Sequence, residues 1–137
     1  MTPQQVDLVE ASLATVGPHL DDIVRAFYDR LFELDPTTRP LFAEDLTTQR
    51  VKFGHELAYI VTSIRHHDRF VDETDVLGRH HADLGVRPEH FRTAGRAVLD
   101  AFADVLGDAW TLELADAWRL AYRLTAEAML TGASRRP

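Results

Sequence analysis

A chain of 137 residues with a hydrophobic share of 45% and a charged share of 27% suits one globular domain, which at this length buries roughly two-thirds of the surface its unfolded chain exposes. The absence of cysteine excludes a disulfide framework, thiolate metal sites, iron–sulfur clusters and thioether-linked cofactors, so any metal must be held by His or oxygen ligands. A formal charge of −7 argues against nucleic-acid binding, no apolar run approaches the ~20 residues of a membrane span, and the start lacks a signal-peptide pattern, which together predict a cytoplasmic chain with no membrane partner.

Thr2 ahead of Pro3 supplies an N-cap with proline in the first turn, and Val6, Val9, Leu13 and Ala14 form the apolar face of a first helix that Gly17-Pro18 ends. A second helix is predicted from Pro18 to about Leu34, with Leu20, Ile23, Val24, Phe27, Leu31 and Leu34 on one stripe and Tyr28 on it beside Val24 and Leu31. Asp35-Pro36 stops it. The segment Pro36 to Phe42, with two prolines four apart, predicts a single short helical turn that leaves Phe42 at the mouth of the polar loop Ala43 to Thr47. A third long helix starts at Thr47 or Thr48 and carries Phe53, Leu57, Ile60, Val61 and Ile64 inward; one turn upstream the same stripe lands on Gln49.

His66, His67, Asp68 and Arg69 read as a polar connection, after which Asp72 or Thr74 caps a short helix. In that helix Leu77 and Leu84 fall seven apart on one side, with His81 between them and aimed at the core, and Gly85 closes it in the left-handed conformation. Arg87-Pro88-Glu89 opens another helix with Phe91, Ala94, Val98, Phe102 and Val105 along its face, ended by Gly107. The last helix is predicted from about Thr111 to Thr131, with Leu114, Trp118, Ala121, Tyr122, Thr125 and Met129 inward. Gly132 stops it, so residues 1–132 form the domain and Ala133 to Pro137 a tail or the start of a linker. Nothing alternates with period two for long enough to make a strand, which predicts an all-α fold of six or seven helices. His66-His67 lacks a third ligand and makes a poor surface metal site; His19, His55 and His90 read as solvated, and Trp118 and Tyr122 as core.

Tyr28, Gln49 and His81 each stand where the helical pattern calls for an aliphatic side chain. Taken alone, an inward histidine reads first as a packed core residue bonded to a backbone carbonyl. Three such positions on three helices imply either scattered local hydrogen bonds or one shared polar object, because a buried hydroxyl or amide without a partner costs roughly 1–3 kcal/mol. A haem satisfies all three: its iron takes a neutral imidazole on one side, leaves the other for a diatomic ligand and its hydrogen-bond donors, and wants an aromatic wall such as Phe42. One charge-assisted bond of roughly 1.5–3 kcal/mol changes oxygen affinity about ten- to a hundredfold.

These residues sit within AFYDRLFELDP, PTTRPLF, TTQRVKF, LGRHHADLGV-RPEHF and ADAWRLAY, and through these segments the chain resembles, over essentially its whole length, a bacterial globin of the flavohaemoglobin and single-domain haemoglobin group. Pro36 with Phe42, Tyr28 with Gln49, and His81 seven before Pro88 fit that family jointly. The resemblance implies a globin fold around haem b, with His81 as proximal iron ligand, Tyr28 and Gln49 as the distal, catalytic pair, and Phe42 packed on the macrocycle. Phe53 takes the apolar distal position where the family often has Leu, which predicts a tighter distal pocket. His80 and Lys52 match positions from which a side chain approaches a propionate, and Leu77, Val86 and Phe91 complete the cofactor-binding set.

Two departures qualify the resemblance. Flavohaemoglobins back the proximal histidine with a Tyr and a Glu, where this chain has Phe91 and Ala133; the expected partner for His81 is then the Leu77 carbonyl, giving an ordinary proximal ligand unsuited to peroxidase-like chemistry. No Gly-rich phosphate loop follows a strand, so the sequence is either a single-domain globin or the globin part of a longer protein. The implied function is reversible dioxygen binding that supports nitric oxide dioxygenation to nitrate, with electrons from a separate flavin-containing reductase. The alternatives are an oxygen carrier or buffer, or a gas sensor, as a monomer or homodimer.

Overall fold

Local chemistry sets the helix ends. At the start of the chain Thr2 Oγ1 accepts from the Gln5 N–H at 3.1 Å while the Thr2 N–H donates to Gln5 Oε1 at 2.8 Å, a capping box that opens α1 (Pro3–Val16) with proline in its first turn. The computed structural model describes residues 1–134, and continues through α2 (Leu20–Leu34), α3 (Thr47–Ser63), α4 (His67–Asp83), α5 (Pro88–Leu106) and α6 (Leu112–Ser134), with no strand among the described residues. The expected all-α fold is therefore the observed one. Gly17-Pro18 ends α1 but does not open α2; Gly17–His19 is a separate 3-10 turn. The two prolines of Pro36–Leu41 likewise produce a 3-10 turn, anchored where Asp35 Oδ1 accepts the Thr37 N–H at 3.0 Å. Gly85, at φ +91°, follows α4 in a conformation that favours glycine.

Four readings of the sequence need correction. The helix bearing His81 is not short: α4 begins at His67, so His67, Asp68 and Arg69 are its first turn, and Phe70 is already buried within it. Thr74 is no cap, since it lies wholly buried in mid-helix with its hydroxyl donating to the Phe70 and Val71 carbonyls at 2.8 and 3.1 Å. Leu84 does not continue the Leu77 stripe inward; the helix ends at Asp83, and Leu84 is 56% exposed. Finally, Gly132 does not stop the last helix, which runs on to Ser134. A Cβ at Gly132 would stand 2.6 Å from Asp75 Cα, and one at Gly78 would stand 1.9 Å from the Met129 carbonyl oxygen. These glycines let α4 and α6 cross in backbone contact. The remainder of the predicted tail, residues 135–137, lies outside the described residues.

The core forms where α2 packs on α5, with α6 packed along α4, α1 and α5. Ile23, Val24, Phe27 and Leu31 share one buried cluster with Ala97, Val98, Ala101, Phe102, Trp118 and Ala121, and the Phe102 ring lies 4.4 Å from Trp118 and 5.7 Å from Trp110, centroid to centroid. Trp118 has a polar duty as well. Its Nε1–H donates to Ser12 Oγ at 2.8 Å, and that hydroxyl donates to the Val9 carbonyl at 2.8 Å, tying α6 to α1. Ser12→Ala is expected to lower stability by about 1–3 kcal/mol, because the indole N–H is left without an acceptor in a dry site; a lower denaturation midpoint at unchanged slope checks it. No helix among the described residues is long and apolar enough to cross a membrane.

Candidate functional site

Tyr28 belongs to the buried stripe of α2, and the residue is only 2% exposed. The first turn of α3 brings Gln49 against it, where Gln49 Nε2 donates to the Tyr28 oxygen at 3.0 Å. This bond joins two polar residues 21 positions apart, and because the phenol oxygen is the acceptor, its own O–H hydrogen is left for a further partner. Aromatic rings enclose the pair. Tyr28 meets Phe27, Phe42 and Phe53 edge to face at 4.9, 5.4 and 5.7 Å between centroids, and Phe53 stacks on Phe27 at 4.4 Å. Burial raises the Tyr28 pKa above the ordinary phenol value, only partly countered by the Gln49 bond and the nearby Arg50 charge, so the hydroxyl stays protonated.

His81 lies in the last turns of α4, half-buried. Its Nδ1 is 2.7 Å from the Leu77 carbonyl oxygen, a distance at which Nδ1 carries the hydrogen and donates it, leaving the Nε2 lone pair unprotonated. Burial lowers the imidazole pKa, the Leu77 bond opposes that shift, and neighbouring His80 adds to it. The neutral form is favoured, as a metal ligand requires. The Phe91 ring stands 6.2 Å from the imidazole, and the Val86 N–H donates to the His81 carbonyl at 3.0 Å.

Phe91 is itself held by a group that the sequence reading left to the core. The Tyr122 hydroxyl donates to the Phe91 carbonyl at 2.5 Å, and burial pushes its pKa well above the phenol range. The tyrosine ring reaches that position because Gly95 presents no side chain; a Cβ there would be 2.6 Å from Tyr122 Cε2. Tyr122 carried the same signal as Tyr28, a hydroxyl on an apolar stripe.

The predicted residues thus fall into two groups: Tyr28, Gln49, Phe42 and Phe53 from α2, α3 and the loop between them, and Leu77, His81, Val86 and Phe91 from α4 and the start of α5. Lys52 and His80 are exposed, with the His80 ring edge-on to His81 at 6.4 Å. Among the described residues no group of three or more His, Asp or Glu is placed to hold a metal ion. His81 could therefore serve a metal whose remaining ligands arrive with a bound group, and a haem, which brings four of its own nitrogens, fits that donor set.

A family model described as Globin matches residues 25–129. The flavohemoprotein of Deinococcus radiodurans is 33% identical over 137 residues, an alignment covering 95% of this chain and 33% of that protein. The chain spans about a third of the length of the curated relatives it matches. Among solved structures, an engineered carbene transferase made from a Rhodothermus marinus protein, whose name proposes nitric oxide dioxygenase activity, is similar at a TM-score of 0.87 and 29% identity over 98% of this chain and 94% of that one. A flavohemoglobin from Malassezia yamatoensis with bound FAD and heme has the same fold, at a TM-score of 0.83 and 21% identity over 98% of this chain and 37% of that one.

Proposed function

The chain belongs to the globin family, and from that premise we propose that it binds haem b with His81 as the iron ligand, takes up dioxygen reversibly beside Tyr28 and Gln49, and supports oxidation of nitric oxide to nitrate with electrons from a separate flavin-containing reductase. The haem, when bound, supplies the iron that takes the diatomic ligand and changes oxidation state. The carrying observation is the hydrogen bond from Gln49 Nε2 to the Tyr28 oxygen inside the aromatic enclosure. By donating into that oxygen, Gln49 polarises the phenol and makes its O–H a better donor to a ligand that gathers negative charge. The phenylalanines keep water from competing for that donor, and Phe53 narrows the space on the same side. Lys52 and His80 lie near enough to solvent to meet the propionates. On the opposite side the Leu77 carbonyl holds the imidazole in one tautomer without giving it imidazolate character.

That neutral acceptor also favours a second reading, an oxygen carrier or buffer without turnover, because a carboxylate partner would have promoted higher oxidation states. Optical spectra of the purified protein, ferric, reduced and reduced with oxygen, test the shared premise: a Soret band and a stable oxygenated spectrum support it, and a featureless spectrum after haem titration overturns it. Nitrate formed when the oxygenated protein meets nitric oxide separates the two readings. Tyr28→Phe is expected to speed oxygen release at least about tenfold in flow kinetics, the effect of losing one charge-assisted donor in a dry site; unchanged release removes Tyr28 from this role.

A further inference from the structure

We propose that Arg39 is a positioning residue for Phe42 and, through it, for haem retention; this rests on the haem reading above. Arg39 leaves the Pro36–Leu41 turn half-buried, and its guanidinium gathers three successive backbone carbonyls: Nη1 donates to Phe42 at 3.4 Å and to Ala43 at 2.9 Å, and Nη2 donates to Glu44 at 2.8 Å. The same group lies 5.2 Å from the centroid of the Phe32 ring. Phe32 in turn packs against Phe42 at 5.8 Å and Tyr28 at 6.0 Å. A loop without regular structure between α2 and α3 is thereby wound around one cation, which is seated on a ring that touches both the loop's aromatic residue and the distal tyrosine.

The planar fork is what the arrangement needs. Two nitrogens set apart in one plane reach three carbonyls while the guanidinium carbon stays over Phe32, and a lysine, with one tetrahedral nitrogen, cannot do both. Arg39 spans the loop that must stay closed if Phe42 is to remain beside Tyr28.

The test is a double-mutant cycle on the haem-loaded protein, read as the rate of haem loss to an excess of an apo-globin acceptor. Arg39→Lys, which keeps the charge, is expected to speed loss by about tenfold, the scale of losing a charge-assisted bond. Phe42→Ala should do so on its own, and adding Arg39→Lys to Phe42→Ala should change the rate less than twofold. Multiplicative effects would overturn the inference, since Arg39 would then act on the protein by another route. A second readout needs no haem: protease cleavage within Ala43 to Leu46 of the apoprotein should quicken in Arg39→Lys, and an unchanged rate would also overturn it. If Phe42→Ala leaves haem loss unaltered while the loop still loosens in Arg39→Lys, the clamp exists but the assignment of Phe42 to the haem fails, and the proposal with it.

Discussion

His81→Ala is expected to abolish stable haem binding while leaving the helical fold intact. The imidazole offers an unprotonated nitrogen from a partly buried helix face, with Nδ1 already committed to Leu77. Among the described residues no cluster of His, Asp or Glu stands ready to replace it. Truncation opens a space beside Phe91, whose ring lies 6.2 Å away, and exogenous imidazole is expected to enter it and restore part of the Soret absorbance. Far-UV circular dichroism should be unchanged, since α4 keeps its backbone hydrogen bonds. Tight haem binding by the variant, with a wild-type spectrum and no response to imidazole, would remove His81 from the role of iron ligand.

Gly78→Ala is expected to have the largest effect on stability of any glycine-to-alanine change in the chain. Its Cβ would meet the Met129 carbonyl oxygen at 1.9 Å, with the Met129 carbonyl carbon and Cα at 2.7 and 2.9 Å. All three are backbone atoms of α6, so no rotamer change relieves the clash, and the two helices must separate. A loss of about 3 kcal/mol follows, at the upper end for overpacking. Because Gly78 precedes His81 by less than one turn, the displacement carries the imidazole with it, and haem affinity should fall in the same variant. Gly17→Ala is the control, since a Cβ there has nothing within 4 Å, and its stability should match wild type. A denaturation midpoint for Gly78→Ala equal to that control would show that the α4–α6 crossing is not close-packed.

Much of the site is legible in the chain because its residues interrupt a local rule. Tyr28, Gln49 and His81 are conspicuous as polar groups on apolar stripes, and Phe42 as an aromatic residue left by a proline-bounded turn. The same rule misled at the start of α4, where His67, Asp68 and Arg69 present no apolar residue until Phe70 and so resemble a loop, although they form a solvated helical turn. It misled again at Gly132, because glycine after a long apolar pattern reads equally well as a terminator and as a point of close approach.

The sequence by itself determined which stretches are helical, most of their inward faces and the three polar residues on those faces, since these follow from the 3.6-residue turn, capping chemistry and proline geometry, all set by neighbours within a few positions. Only the tertiary structure decided that Gln49 bonds Tyr28 rather than a carbonyl of its own helix, that Tyr122 fastens Phe91, that Gly78 and Gly132 bring α4 and α6 into backbone contact, and that Arg39 closes the loop bearing Phe42. Each of these depends on the distance and angle between elements far apart in the chain. Those are set by how all the side chains pack together, and no run of residues read alone carries that information.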